Sequence, residues 1–144
     1  MVYRDEIRET RQNEIYKENE THLAGFVQWL LDKGLSEKTI RTHVKNVEFY
    51  INDFLGYDLF DVSQGCHRIH GFLGNWFIRK ASWSSCAHIK SYAAGIKKFY
   101  AYLLETNVVA QEDYDYLCET VKKHMPAWLE EMRRYEEWLF QDYY

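Results

Sequence analysis

One amphipathic pattern occurs twice in this chain at a fixed interval, and few folds accommodate it. In SEKTIRTHVKNVEFYINDFL, residues 36–55, Ile40, Val44, Val47, Ile51 and Phe54 recur at spacings of four, three, four and three. That spacing aligns them along one side of an α-helix, and the side must be buried. Ser36 supplies a start signal, because its hydroxyl accepts a hydrogen bond from a first-turn N–H, and Glu37 sets a negative charge against the positive end of the helix dipole. SCAHIKSYAAGIKKFYAYLL, residues 85–104, repeats the plan: Ser85 stands for Ser36, Ile89 for Ile40, Ala93 for Val44, Ile96 for Val47, Tyr100 for Ile51 and Leu103 for Phe54, every pair 49 positions apart. Two such helices with a shorter helical segment between them predict two crossed helical hairpins. The expected class is therefore all-α, an orthogonal bundle of five to six helices with an extra C-terminal helix and no sheet. Two copies are too few for a solenoid.

The other elements follow from local signals. Residues 1–19 are charged, with only Val2, Tyr3, Ile7, Ile15 and Tyr16 to bury, and read as a helix or arm of their own. Asn19 or Thr21 is expected to cap the next helix, whose apolar face is Leu23, Phe26, Val27, Leu30 and Leu31 with Trp29 beside it, and Gly34 closes it. Gly56-Tyr57-Asp58 breaks the helix that follows. A third helix opens at Ser63 or Gln64 and carries Ile69, Phe72, Leu73, Trp76 and Phe77. Gly71 and Gly74 each cost it about 1 kcal/mol relative to alanine, and they suit close helix contact. After the connection at residues 82–85 and the repeated helix, another is expected from Gln111 to about His124, burying Tyr114, Leu117, Cys118 and Val121. Pro126 then suits the first turn of a last one, where a missing N–H costs nothing. The core domain is thus expected over residues 20–125, with an acidic amphipathic helix over 126–144.

At 144 residues such a bundle buries a sizeable core without staples, and Cys66, Cys86 and Cys118, an odd and scattered set, are expected to stay reduced. No run of eighteen apolar residues and no signal-peptide pattern is present, so the expectation is a cytoplasmic protein with no membrane partner.

Charge is unevenly distributed. Lys38, Arg41 and Lys45 form a row off the apolar stripe of the first repeated helix, and Lys90, Lys97 and Lys98 lie off the stripe of the second. One such row is ordinarily a solvated face; its recurrence suggests more. The net charge of −4 opposes nucleic-acid binding, yet residues 33–98 hold ten Lys or Arg against five Asp or Glu, while residues 1–32 hold four against seven and residues 99–144 four against ten. A middle of +5 between flanks of −3 and −6 can attract phosphate in a strongly salt-dependent way.

Phe26, Trp29 and Leu30, then Gly34-Leu35-Ser36-x-x-Thr39-Ile40, and later Ser85-x-x-His88-Ile89 running into Phe99-Tyr100-Ala101-Tyr102-Leu103, resemble the N-terminal core-binding domain of phage-integrase-type tyrosine recombinases over residues 20–110. The resemblance implies a SAM-like bundle that clamps one side of double-stranded DNA, and a role in site-specific recombination or integration. On that reading Lys38, Arg41, Lys45, Lys90, Lys97 and Lys98, with Arg79 and Lys80, share one concave side and meet phosphates. Thr39, Thr42, Asn46, His88 and Ser91 stand near enough to read base edges. His88 departs from the family pattern, which has threonine there.

The family's catalytic domain would carry an arginine, a lysine, a His-x-x-Arg and a tyrosine nucleophile. Here the nearest pattern is His67-Arg68-Ile69-His70, in the wrong half of the chain, and Tyr143 and Tyr144 have no cluster of basic partners, so this chain is not expected to cleave DNA. Cys66, His67, His70, Cys86 and His88 lack the spacing of a zinc finger or ribbon; no metal, no cofactor and no small-molecule substrate is expected. Among the aromatics, Trp83 and Tyr102 alone are read as surface residues. The competing expectation is a helical protein-interaction module that kept the scaffold and lost DNA binding, as the acidic flanks favour. Trp128, Met132, Tyr135 and Leu139 give the last helix an apolar stripe, widened by Leu129 and Trp138. That stripe folds back on its own bundle, docks on a second subunit, or lies over the basic face.

Overall fold

The computed structural model describes residues 2–143. Met1 and Tyr144, with the side chains of Val2, Asp142 and Tyr143, lie outside the described residues, and so do the expectations placed on Val2 as a core contact and on the terminal tyrosines. The described chain is all-α, without a strand, and its helices are α1 (Val2–Asp32), α2 (Glu37–Glu48), α3 (Ile69–Gly71), α4 (Phe77–Lys80), α5 (Cys86–Glu105) and α6 (Gln111–Tyr143). α2 runs directly into a π-helical segment, Phe49–Leu55, and α3 reaches α4 through a second one, Phe72–Trp76. 3₁₀ turns at Gly56–Asp58 and Val62–His67 make the connection between them.

Both repeated helices start where their serines predict. Ser36 Oγ accepts from Thr39 N–H at 3.2 Å, and Ser85 Oγ accepts from His88 N–H at 3.1 Å. Gly34, at φ +80°, ends the first hairpin turn in the left-handed region that glycine enters without strain. The predicted stripes are the core: Ile40, Val47 and Ile51 from the first stretch, and Ile89, Ala93, Ile96, Tyr100 and Leu103 from the second, are all buried, with Val44 and Phe54 packed beside them. At about 1.5 to 3 kcal/mol for each large apolar side chain removed from water, this seam is the principal source of stability. α2 and α5 come close where His43 meets Gly95: a Cβ on Gly95 would lie 3.1 Å from His43 Nδ1 and 3.5 Å from His43 Cα.

Two helices run through boundaries expected from the sequence. α1 is one helix from Val2 to Asp32, so residues 2–19 form no separate arm, and Asn19, inside it, is no N-cap. Asn19 is instead buried, donating from Nδ2 to Asn52 Oδ1 at 2.7 Å and to Ile51 O at 3.3 Å. Gln12 Nε2 reaches Gly56 O at 3.3 Å, and Arg8 donates to Tyr57 O. All these acceptors belong to the end of the α2 stretch and the turn after it; Ile51 O and Gly56 O already accept from Gly56 N–H and Leu59 N–H, so the α1 side chains add a second hydrogen bond to each. The charged first half of α1 is thus held by polar anchors more than by apolar contact. The second correction is at Pro126, which sits inside α6 and does not start a new helix. It lies on the exposed side, where the carbonyl it leaves without an N–H partner can be hydrated.

α6 packs back on its own bundle, burying Leu117, Val121, Trp128 and Met132. Gly74 accommodates Trp128, since a Cβ there would lie 2.8 Å from the indole. The predicted stripe fades after the half-buried Tyr135, and Trp138 is 55% exposed. Tyr102 is not a surface aromatic as expected: it packs against Phe26 and Trp29 of α1, with its hydroxyl in the space left by Gly25.

Candidate nucleic-acid interface

The first turns of α5 and the middle of α2 enclose a cavity of about 370 Å³. Thr42, Lys45 and Asn46 line it from α2; His88, Ser91 and Tyr92 line it from α5, and Trp83 covers it from the connection before α5. None of the lining side chains is acidic. Asn46, only 6% exposed, donates from Nδ2 to Ser91 Oγ at 3.0 Å and so ties the two helices together at this point. His88 Nδ1 lies 2.8 Å from Ser85 Oγ, which holds the imidazole over the start of the helix, and Thr42 Oγ1 donates to Lys38 O at 3.1 Å.

Trp83 is 45% exposed yet fixed in place. Its Nε1 donates to Tyr92 Oη at 3.2 Å, and its ring meets Phe49 edge to face at 5.1 Å and Phe77 at 6.4 Å. Burial pushes the Tyr92 phenol above its ordinary pKa; the Trp83 N–H works against that shift and Asp53 adds to it. Beside the cavity, His43 is buried with Nδ1 unpartnered, and burial lowers its pKa, helped by the Lys98 ammonium across the helix contact. A neutral ring between α2 and α5 adds no charge to the helix contact.

The sequence placed one row of cations on one concave side, and the helices divide it. Lys38 is seven positions before Lys45 and so shares its stripe of α2. Ser91 and Lys98 likewise share a stripe of α5 with Ala87, on the cavity side. Lys90 and Lys97 fall instead on the stripe of Cys86, whose Sγ lies 3.6 Å from Leu129 O of α6. Those two lysines therefore flank α6. The physical reason is that residues adjacent in sequence stand roughly 100° apart on a helix, so Lys97 and Lys98 do not share a face. Arg79 is taken up by Glu131 of α6 at 2.6 Å, under the Tyr135 ring, and Lys80 is exposed at the end of the same α4. Arg41 is exposed and 3.5 Å from Glu37, a surface pair of little energetic weight, while Thr39 is engaged at the Ser36 cap.

His43 was missed by the sequence reading, although its place three residues after Ile40 on the buried side is a usable signal. The histidines and cysteines weighed for zinc are dispersed: Cys66 is buried, its thiol pushed up to about 12 chiefly by burial, His67 meets Asp113 at 2.8 Å, and His70 accepts from Trp128 Nε1 at 2.9 Å. Among the described residues no three His, Cys, Asp or Glu side chains converge as a metal site, and no helix is long and apolar enough to cross a membrane.

No family model, curated protein or solved structure matches this chain.

Proposed function

We propose that this chain is a duplex-DNA-binding module resembling the core-binding domain of tyrosine recombinases, and that it contributes DNA clamping to site-specific recombination or integration without cleaving DNA itself. The observation that supports this reading is the meeting of Thr42, Lys45, His88 and Ser91 in one cleft free of acidic side chains, with Lys38 and Lys98 on its flanks. Long flexible cations at the flanks suit phosphate oxygens, and the short polar groups between them suit base edges. The surplus acid of the chain sits on α1 and on α6, and α6 packs chiefly on α5, the Val62–His67 turn, α3 and the Phe72–Trp76 segment. α6 therefore braces the bundle from the side that carries Cys86, and its carboxylates do not line the cleft.

The test is retention on duplex DNA as a function of salt. The wild-type chain binds at low ionic strength, with log affinity falling linearly in log salt. The triple variant K38E/R41E/K45E loses binding, and each neutralised phosphate contact flattens the slope by about 0.9. K90E/K97E, on the α6 side, changes affinity far less. Equal losses from both sets would refute the assignment of the cleft.

A second reading, a protein-interaction module, draws on Trp138, which is 55% exposed near the end of α6 among Glu136 and Glu137. Under that reading the chain shows no salt-dependent DNA retention at all.

A further inference from the structure

We propose that the cavity between α2 and α5 is a pocket for a single unpaired nucleobase, so that the chain prefers DNA carrying a base displaced from its stack. This rests on the DNA-binding reading and adds to it a class of structure recognised.

The shape of the site carries the inference. A basic rim alone serves phosphate contacts. Here about 370 Å³ lies behind it, enough for a purine or pyrimidine ring, and the aromatic Trp83 and Tyr92 line that space together with the polar Thr42, Asn46 and Ser91. Trp83 is the aromatic wall. An indole on a connection between helices would ordinarily move, yet this one is held by a hydrogen bond to Tyr92 and by the edges of Phe49 and Phe77, with 45% of its surface left to solvent. A fixed, half-exposed indole offers a face that any base can stack on, whereas a base within an intact duplex has both faces covered by its neighbours. The Asn46 amide and the Ser91 hydroxyl line the same cavity, joined by one hydrogen bond, and their remaining polar atoms are of the kind that pairs with the edge of a base once it has left its partner. Lys45 and His88 stand where the phosphates on either side of that nucleotide would pass. A displaced base therefore finds stacking, edge contacts and phosphate neutralisation at one place, without rearrangement of α2 or α5.

The experiment compares three labelled DNAs by fluorescence anisotropy at one salt concentration: a fully paired duplex, the same duplex with one extra unpaired adenine, and a single strand. For the wild-type chain the bulged duplex is expected to bind at least about fivefold more tightly than the paired one, the ratio that 1 kcal/mol of base–aromatic stacking corresponds to. W83A abolishes that preference, weakening binding of the bulged duplex by more than that of the paired one, and W83F, which keeps a stacking ring, retains most of it. With 2-aminopurine as the unpaired base, the wild-type chain quenches its fluorescence and W83A does not. Equal affinity of the wild-type chain for paired and bulged duplexes would overturn the pocket but leave DNA binding standing. A W83A variant that lowers both affinities alike would overturn it too. Binding to none of the three DNAs removes the DNA reading and the pocket with it.

Discussion

Glycines show at the residue scale how much of this fold is decided by contact at a distance. Gly65 carries no local signal, yet a Cβ there would lie 1.7 Å from Tyr100 Oη and 3.1 Å from Leu55 Cδ1. Tyr100 is fully buried and donates to Val62 O at 2.8 Å, so it cannot swing aside. G65A is therefore expected to destabilise by about 1 to 3 kcal/mol, the ordinary cost of overpacking a core. Gly71 is the control: a Cβ there meets nothing within 4 Å, and the position is helical. G71A should stabilise by up to about 1 kcal/mol, because alanine loses less backbone freedom on folding than glycine. Urea unfolding of both variants measures the two signs. The sequence alone assigned both Gly71 and Gly74 to close helix contact; of the two, only Gly74 has one.

α6 decides at the scale of elements how the bundle is closed. The predicted stripe of Trp128, Met132, Tyr135 and Leu139 is sound in period, and its first half is core: Trp128 and Met132 are each 1% exposed, and Trp128 also donates to His70. W128A should cost about 3 to 5 kcal/mol, since it empties a large site and removes the hydrogen bond across to α3. W138A, at a residue 55% exposed and stacked on Tyr135, should cost less than about 1 kcal/mol. Thermal melts of the two variants separate a brace of the bundle from a stripe that is apolar but unused. The same helix removes Arg79 from the set of cations proposed to meet DNA, because Glu131 lies 2.6 Å from it.

The whole molecule combines a net charge of −4 with a basic cleft, and its histidines report on how the charge is housed. His22, His43 and His124 all have lowered pKa values; desolvation is the largest cause in each, with Lys98 adding to it at His43 and His70 and Lys123 at His124. A histidine that binds its proton less readily when folded makes the unfolded chain the better proton acceptor below the usual value of about 6.5. Stability is then complete above pH 6.5 and declines as pH falls from there toward the folded-state values. Urea midpoints measured from pH 7.5 to 5.5 should fall, and H43Q should make the decline shallower by removing one of the three. A midpoint that rises on acidification would contradict the burial of His43.

The repeated stripe at residues 36–55 and 85–104, its two serine caps and the glycine turn at Gly34 were determined by the sequence, because periodicity and capping are local properties that tertiary packing here only reinforced. The division of the basic residues was not. Which flank of α5 faces α2 and which faces α6 depends on the packing of three helices at once, and only that packing put Ser91 in the cleft, Lys98 within electrostatic reach of His43 of α2, and Cys86, whose stripe carries Lys90 and Lys97, against α6. The continuity of α1 and α6 was likewise a tertiary result. Asn19 looks like a cap until carbonyls at the end of the α2 stretch are there to accept from it, and Pro126 looks like a start until the bundle holds the helix on both sides of it.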